Sequence, residues 1–301
     1  MKKLIRITTI PLSIEKLLEN QPHFFSMYFD VTIVSSEKEK LKEIANEQEV
    51  KYFSLEITRK ITPLQDLWCL VRLVSFLRQE KPHFVHSHTP KAGIIGMLAA
   101  YIAGVPVRMH TVAGLPLMEA TGVKRWVLNV VERTKYFCST HVYPNSKGLE
   151  TFIIQNKFCT PKKIKVLGSG SSNGIDTSYF DPEQVSQAQQ VALKNELGIE
   201  PNDFVFCFVG RLVKDKGINE LIQAFVTISK KHSSAKLMLV GHTEAELDPL
   251  HPETLNRIEF DESIIEVGFQ KDIRPYLAIA DLFTFPSYRE GFPNVILQAN
   301  A

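Results

Sequence analysis

Glu290 and Gln298 stand eight residues apart in Ser287-Tyr-Arg-Glu-Gly-Phe-Pro-Asn-Val-Ile-Leu-Gln-Ala-Asn-Ala301. An apolar run, residues 281–285, leads into Pro286-Ser287, Glu290-Gly291 follows, and helical character begins at Pro293. Proline is favoured at the first position of a helix, where its missing N–H is not needed. The unpaired N–H groups of such a turn, with the positive end of the helix dipole, suit a phosphate. On one ideal helix Glu290 and Gln298 would lie about 12 Å apart along the axis and about 80° apart around it. Two hydrogen-bonding side chains so spaced could hold the two ends of an extended nucleotide-sugar, with its pyrophosphate at the helix start.

A second stretch, Gly210-Arg-Leu-Val-Lys-Asp-Lys-Gly217, lies between a strand end and a helix start. Ligands of doubly wound sheets bind beyond the carboxyl ends of the strands. Arg211 can contact a phosphate bidentately there and Lys216 can add a point charge; a solvated basic loop is the plainer reading. In Val166-Leu-Gly-Ser-Gly-Ser-Ser-Asn-Gly-Ile-Asp176, the glycines at 168, 170 and 174 miss G-x-G-x-x-G by one residue. No helix is expected after them, so a dinucleotide fingerprint fails on context. Val85-His-Ser-His-Thr-Pro-Lys-Ala-Gly93 ends a strand and puts His86 and His88 on one side. They are a packed pair or two ligands of a metal lacking an obvious third. His110-Thr-Val-Ala-Gly-Leu-Pro116 ends another strand.

These segments together resemble the retaining glycosyltransferases of the GT-B fold, family four in particular. Glu290 with Gly291, Phe292, Pro293 and Asn294 matches the start of the family's E-x7-E segment, and Gln298 replaces its second glutamate. The 210–217 loop is similar to G-R-L-x-x-x-K-G, Asn173–Asp176 to the N-G-[IV]-D crossover, and His86–Gly93 to H-x-H-x-x-K-A-G. The resemblance runs from His86 to the end. It implies a sugar transferred with retention from a nucleotide-sugar, a UDP-sugar being expected, to a hydroxyl of a glycan or lipid-linked sugar. Bacterial surface-polysaccharide or capsule synthesis is the implied setting.

By the same resemblance Arg211 and Lys216 neutralise the donor pyrophosphate and Glu290 orients the sugar. Gly174, Gly291, Phe292, Pro293, Asn294 and Gln298 complete the donor side, while His88 and Lys91 fall on the acceptor side. Family members often place a sugar-contacting histidine at or near Ala113; His110 is either its substitute or a core histidine. The Gly-Gly seen in many members after the first strand is missing from Thr8–Ser13. No D-x-D occurs, and no cofactor or metal is expected. Lys2, Lys3, Arg59, Lys60, Lys124, Arg125, Arg133 and Lys135 could form a basic patch for peripheral contact with an anionic membrane, or be scattered solvated charges. The other readings are an inactive fragment that binds nucleotide only, a GT-B sugar-nucleotide epimerase, and, disfavoured by the glycines, a nicotinamide-dependent oxidoreductase.

The elements that must position these residues alternate along the chain. Strands are expected at residues 4–9, 31–35, 50–54, 84–86, 105–111, 141–144 and 163–167, with helices at 13–28, 38–48, 63–80, 92–103, 122–138 and 147–156. The pattern restarts with strands at 204–209, 236–240, 264–267 and 281–285 and helices at 217–231 and 272–280. Such alternation predicts mainly parallel sheets covered on both faces. The expected fold is α/β, two tandem Rossmann-like doubly wound domains facing a cleft, residues 1–175 and 176–301, with the junction near Asn173–Asp181. The second is expected to be incomplete, because residue 301 falls inside a helix without a stop signal.

Composition agrees with a globular chain of two domains: 301 residues, 44% hydrophobic and 23% charged. A net charge of +2 gives no argument for nucleic acid, and none is expected as partner. Cys69, Cys138, Cys159 and Cys207 form no C-x-x-C and read as reduced thiols of a cytoplasmic protein. The N-terminus is too briefly apolar for a signal peptide.

Overall fold

A computed structural model covers residues 1–301 and describes all but Glu119, Ser172, Asn173, Ala245, Leu247 and Arg289. The crossover residues Ser172 and Asn173, and Arg289 of the Glu290 segment, therefore lie outside the described residues. The chain divides into two compact units, Met1–Gly174 and Ile175–Ala301.

The first unit runs β1 (Lys3–Ile7), α1 (Pro11–Leu17), α2 (Gln21–Ser26), β2 (Asp30–Ser35), α3 (Lys38–Glu47), β3 (Lys51–Ser54), α4 (Pro63–Glu80), β4 (Phe84–Ser87), α5 (Pro90–Ile102), β5 (Val107–Val112), α6 (Gly122–Cys138), β6 (His141–Pro144) and α7 (Lys147–Gln155). Its six strands pair in parallel in the order β3-β2-β1-β4-β5-β6. Alternation along each strand feeds two cores. Ile5 and Ile7 pack with Cys69, Leu73, Ala92 and Ile95 of α4 and α5, while Ile33 packs with Ile14, Leu41 and Ile44 of α1 and α3. α5 packs between α4 and α6. Its small residues allow this: a Cβ on Gly96 would come within 3.0 Å of Ile7 Cδ1, and one on Gly93 within 2.6 Å of the His110 ring.

Three expectations for this unit are corrected. Residues 13–28 form two short helices, because Glu19 takes a left-handed φ of 48° and Pro22 starts a new turn. The one broad apolar face expected on α4, Leu64, Leu67, Leu70, Val71, Val74 and Leu77, is divided: Leu77 is buried with Cys69 and Leu73, Leu70 and Val74 pack against that core, and Leu64, Leu67 and Val71 face solvent. Both rows have helical spacing, so periodicity could not choose between them. Residues 163–167 make no strand beyond a single bridge from Ile164 to Val142.

The second unit runs α8 (Gln187–Glu196), β7 (Phe204–Val209), α9 (Ile218–Ser229), β8 (Ala235–Val240), α10 (Pro252–Phe260), β9 (Ile264–Gly268), α11 (Arg274–Ala278), β10 (Leu282–Phe283) and α12 (Asn294–Asn300). Its four strands are parallel, in the order β10-β7-β8-β9. β7 and β8 are apolar on both faces, with Phe208, Leu237 and Leu239 in one core and Cys207, Val209 and Met238 in another. The predicted strand 281–285 shrinks to two residues, although Thr284 N still donates to Cys207 O at 2.7 Å and Asp281 Oδ2 accepts from Val205 N at 2.7 Å. Pro293 is the N-cap of α12, with an extended ψ of 97°, instead of its first residue. Glu290 consequently lies ahead of the helix, and the spacing computed for one continuous helix does not apply. Among the described residues no helix is long and apolar enough to cross a membrane.

Candidate active site

Three loops at the carboxyl ends of β7, β8 and β10 are tied together. Beyond β7, Gly210 N donates to Val240 O at 2.9 Å and Leu212 N to His242 O at 2.8 Å, so strand-like pairing with β8 continues into the loops. A Cβ on Gly241 would overlap the Gly210 carbonyl oxygen, so this approach depends on glycine. Asp215 N then donates to Asp248 Oδ2 at 2.8 Å. The third loop closes on the first: Tyr288 N donates to Asp215 O at 3.1 Å. Gly217, in the left-handed region at φ 71°, has its Cα against the Pro286 carbonyl, where a Cβ would collide.

This lacing places the candidate side chains. Lys216 Nζ donates to Glu290 Oε1, joining residues 74 apart in sequence, and sits 5.3 Å above the Phe285 ring. Ser287 Oγ donates to the same Oε1 at 2.6 Å. Both members are well covered, with side chains 17% and 25% exposed. Arg211 Nη1 donates to Glu244 Oε2 at 2.6 Å, and His242 Nε2 stands 4.0 Å from the other Glu244 oxygen. Phe292, Pro293, Asn294 and Gln298 are half-buried and Gly291 is buried. Gly174 has open space where a Cβ would be.

In the first unit, a separate polar cluster gathers on and beside the sheet. Arg6, in register with His86 on the neighbouring strand, is 2% exposed. It donates from Nε and Nη2 to His88 Nε2 at 3.3 and 3.0 Å and from Nη2 to Gln21 at 2.9 Å, and lies 5.2 Å from the Phe25 ring centre. Burial lowers its pKa to about 9, which leaves it charged at neutral pH. The His86 and His88 ring centres lie 4.0 Å apart with the planes tilted by 40°, and His86 Nε2 pairs with Thr111 Oγ1 at 2.8 Å. Burial, reinforced by Arg6, holds both imidazoles well below their usual pKa, so they are neutral. They are thus a packed and hydrogen-bonded pair. Among the described residues no group of three or more His, Cys, Asp or Glu is arranged to hold a metal.

His110 is likewise a packed histidine, 1% exposed, with Nδ1 on Ser87 Oγ at 2.8 Å and burial plus Lys135 depressing its pKa. Lys91 binds Asp66 at 2.8 Å, Thr58 and Thr62 at 3.1 Å, and the Lys60 carbonyl. The basic residues do not share one face. Lys135 is buried against Glu132, and Lys3 pairs with Glu80 at the opposite sheet edge from the starts of α4 and α6. Sequence reasoning missed Glu244, Asp248 and Ser287 in the second unit and Arg6, Gln21 and Glu132 in the first. Only the acids at 244, 246 and 248, clustered after a strand and a glycine, left a visible signal.

Comparison with known proteins identifies the family. Residues 189–301 match the family described as glycosyl transferases group 1, and residues 26–170 match the glycosyl transferase 4-like domain. Over 303 residues the chain is 35% identical to the capsular polysaccharide biosynthesis glycosyltransferase CapM of Staphylococcus aureus, spanning 100% of this chain and 77% of that protein. The chain is a group 1 glycosyltransferase. This glycosyltransferase is also 29% identical over 278 residues to the Escherichia coli UDP-Gal:alpha-D-GlcNAc-diphosphoundecaprenol alpha-1,3-galactosyltransferase, covering 91% of this chain and 69% of that one. In fold it matches Anabaena HepE, solved in complex with UDP and glucose, at a TM-score of 0.74 and 18% identity over 99% of this chain and 78% of HepE. The fold of the glycosyltransferase is accordingly the GT-B fold.

Proposed function

We propose that the enzyme transfers a sugar from a UDP-sugar, with retained anomeric configuration, to a hydroxyl of a glycan or lipid-linked sugar during surface-polysaccharide assembly. The observation that carries this is the convergence of Arg211, Lys216 and Glu290 on three laced loops at the carboxyl edge of one sheet. Arg211 and Lys216 stabilise the charge that grows on the departing diphosphate, the role in which preorganised electrostatics contributes most. This takes the part of a divalent cation, so no metal requirement is expected. Lys216 and Ser287 both hold Oε1 of Glu290, and Oε2 is the oxygen we assign to a hydroxyl of the transferred sugar. The acceptor hydroxyl oxygen attacks the anomeric carbon on the face the diphosphate leaves, and its proton passes to the leaving phosphate oxygen. Gly291, Phe292, Pro293 and Asn294 border the diphosphate. Gln298 faces the ribose, where its amide accepts a hydrogen bond less strongly than a carboxylate. His88 and Lys91 belong to the acceptor side, Lys91 as the cation for an anionic acceptor. His110 acts there by packing.

The names of the two relatives, one capsular and one acting on a diphosphoundecaprenol sugar, support the setting, and UDP in HepE supports the base. Family membership sets aside the epimerase and oxidoreductase alternatives. Calorimetric titration tests the donor class: UDP binds, GDP binds at least about tenfold more weakly, and Arg211→Ala weakens UDP by about ten- to a hundredfold while leaving it measurable. Equal binding of UDP and GDP would remove the uridine assignment, and no binding of either would remove the donor site.

A lipid-linked acceptor places the enzyme at the inner face of the plasma membrane, and the helical side of the first unit suits that. Leu64, Leu67, Trp68 and Val71 expose one face of α4, and Val123, Trp126, Val127 and Val130 one face of α6. Both tryptophans of the chain are among them, 48% and 67% exposed; tryptophan favours the membrane interface. Arg59, Lys60, Lys124 and Arg125 mark the starts of these helices. The acids Asp66, Glu80 and Glu132 are committed to Lys91, Lys3 and Lys135. Phosphatidylglycerol vesicles should therefore shift tryptophan emission to the blue, and Trp126→Glu should weaken partitioning about tenfold or more. Unchanged emission at saturating vesicle concentration rules this surface out.

A further inference from the structure

Glu244 lies just past the end of β8, and no expected role falls on it. Its carboxylate is 10% exposed, against 38% for the Arg211 side chain it holds at 2.6 Å. The better-buried carboxylate is the fixed partner and the arginine the movable one. The loop carrying Glu244 is itself fixed, by the Leu212–His242 and Asp215–Asp248 hydrogen bonds and by the close approach of Gly241 to Gly210. A guanidinium has five N–H donors in a rigid fork. One carboxylate oxygen on Nη1 sets the plane of that fork and leaves further donors for a phosphate.

Net attraction is a poor explanation for diphosphate binding here. The cations Arg211, Lys214 and Lys216 share their loops with Asp215, Glu244, Asp248 and Glu290, so the loops hold no surplus of positive charge. Orientation of the two paired cations, Arg211 and Lys216, is the remaining contribution. A long side chain ordered before the ligand arrives no longer loses its rotamer freedom on binding. We propose that Glu244 is a positioning residue for the donor, acting through Arg211. This rests on the assignment of Arg211 to the donor diphosphate. Glu244 also brings a negative charge near that diphosphate, so preorganisation and repulsion predict opposite signs for its removal.

UDP binding to the full chain, measured by calorimetry, separates them. Glu244→Ala should weaken UDP about tenfold by freeing Arg211. Glu244→Gln should restore most of the affinity, because an amide oxygen still accepts from a guanidinium. In an Arg211→Ala background, Glu244→Ala should cost nothing further, a non-additivity that a general loss of structure would not produce. Thermal unfolding of each variant checks that the fold is kept. Unchanged or tighter UDP binding by Glu244→Ala, with Arg211→Ala still damaging, overturns the positioning role alone. Equal losses from Glu244→Ala with and without Arg211 overturn it too. Unchanged UDP binding by Arg211→Ala overturns both the positioning role and the donor assignment beneath it.

Discussion

Replacing Lys216 with alanine is expected to lower kcat for sugar transfer by about a hundred- to a thousand-fold, the range seen when one preorganised charge-stabilising group is removed. The expectation has two physical parts. The ammonium no longer meets the charge building on the leaving diphosphate. In addition, Glu290 loses the cation bound to its Oε1 while Ser287 remains, so an uncompensated carboxylate stays beside an anionic substrate. Glu290→Ala should be similarly damaging, because it removes the oxygen that orients the sugar and releases Lys216 from its place over Phe285. The informative variant is the double one. Residues acting as a unit are strongly non-additive, so Lys216→Ala/Glu290→Ala should be no slower than the worse single variant. Initial rates of donor hydrolysis, with the UDP-sugar that the parent enzyme turns over fastest, would measure all three. A Lys216→Ala rate within threefold of the parent, or fully multiplied losses in the double variant, would sink the shared role.

The parts of this site were differently legible in the chain. Lys216 and Glu290 each stand in a local pattern, a basic Gly-bounded loop and a Gly-Phe-Pro turn, and local patterns survive in sequence. Their contact spans 74 residues and depends on β10 pairing with β7, which no spacing encodes. Glu244 had only the cluster of acids at 244, 246 and 248 to mark it, and acids after a strand are ordinary until a partner arginine is placed over one of them. The strands of both sheets were readable because parallel strands buried on two faces are continuous apolar runs, as in 204–209. Helix faces were less so. α4 carries two apolar rows, and of the broad face expected, Leu70, Val74 and Leu77 turn inward while Leu64, Leu67 and Val71 stay exposed. Hydrophobic periodicity identifies a stripe, not what covers it. The same limit hid the α6 interior. Val123, Trp126 and Val130 are apolar yet exposed there, whereas Glu132, Lys135, Tyr136 and Cys138 are what it buries.

That interior yields the largest stability effect expected of a single substitution in the first unit. Lys135 and Glu132 are 1% and 3% exposed and joined at 2.7 Å, one turn apart on α6. By spacing alone they resemble an exposed i,i+3 pair, which contributes a few tenths of a kcal/mol. Buried, the pair follows different arithmetic. Desolvating both charges offsets most of their attraction, so the intact pair adds little, but removing one partner strands the other and costs about 3–5 kcal/mol. Lys135→Ala should therefore destabilise the unit by that amount. It strands Glu132 beside the buried Tyr136 hydroxyl and opens space beside His110 and Gly93. Lys135→Met/Glu132→Leu removes both charges while keeping most of the volume, and should recover most of the loss. Urea unfolding followed by tryptophan emission reports this unit specifically, because Trp68 and Trp126 both belong to it. A loss below about 1 kcal/mol in Lys135→Ala, the scale of a solvated surface pair, would mean that water reaches the pair. A double variant as unstable as the single one would locate the pair's contribution in shaping the loop after β5, through His110 and Tyr136, instead of in cancelling a buried charge.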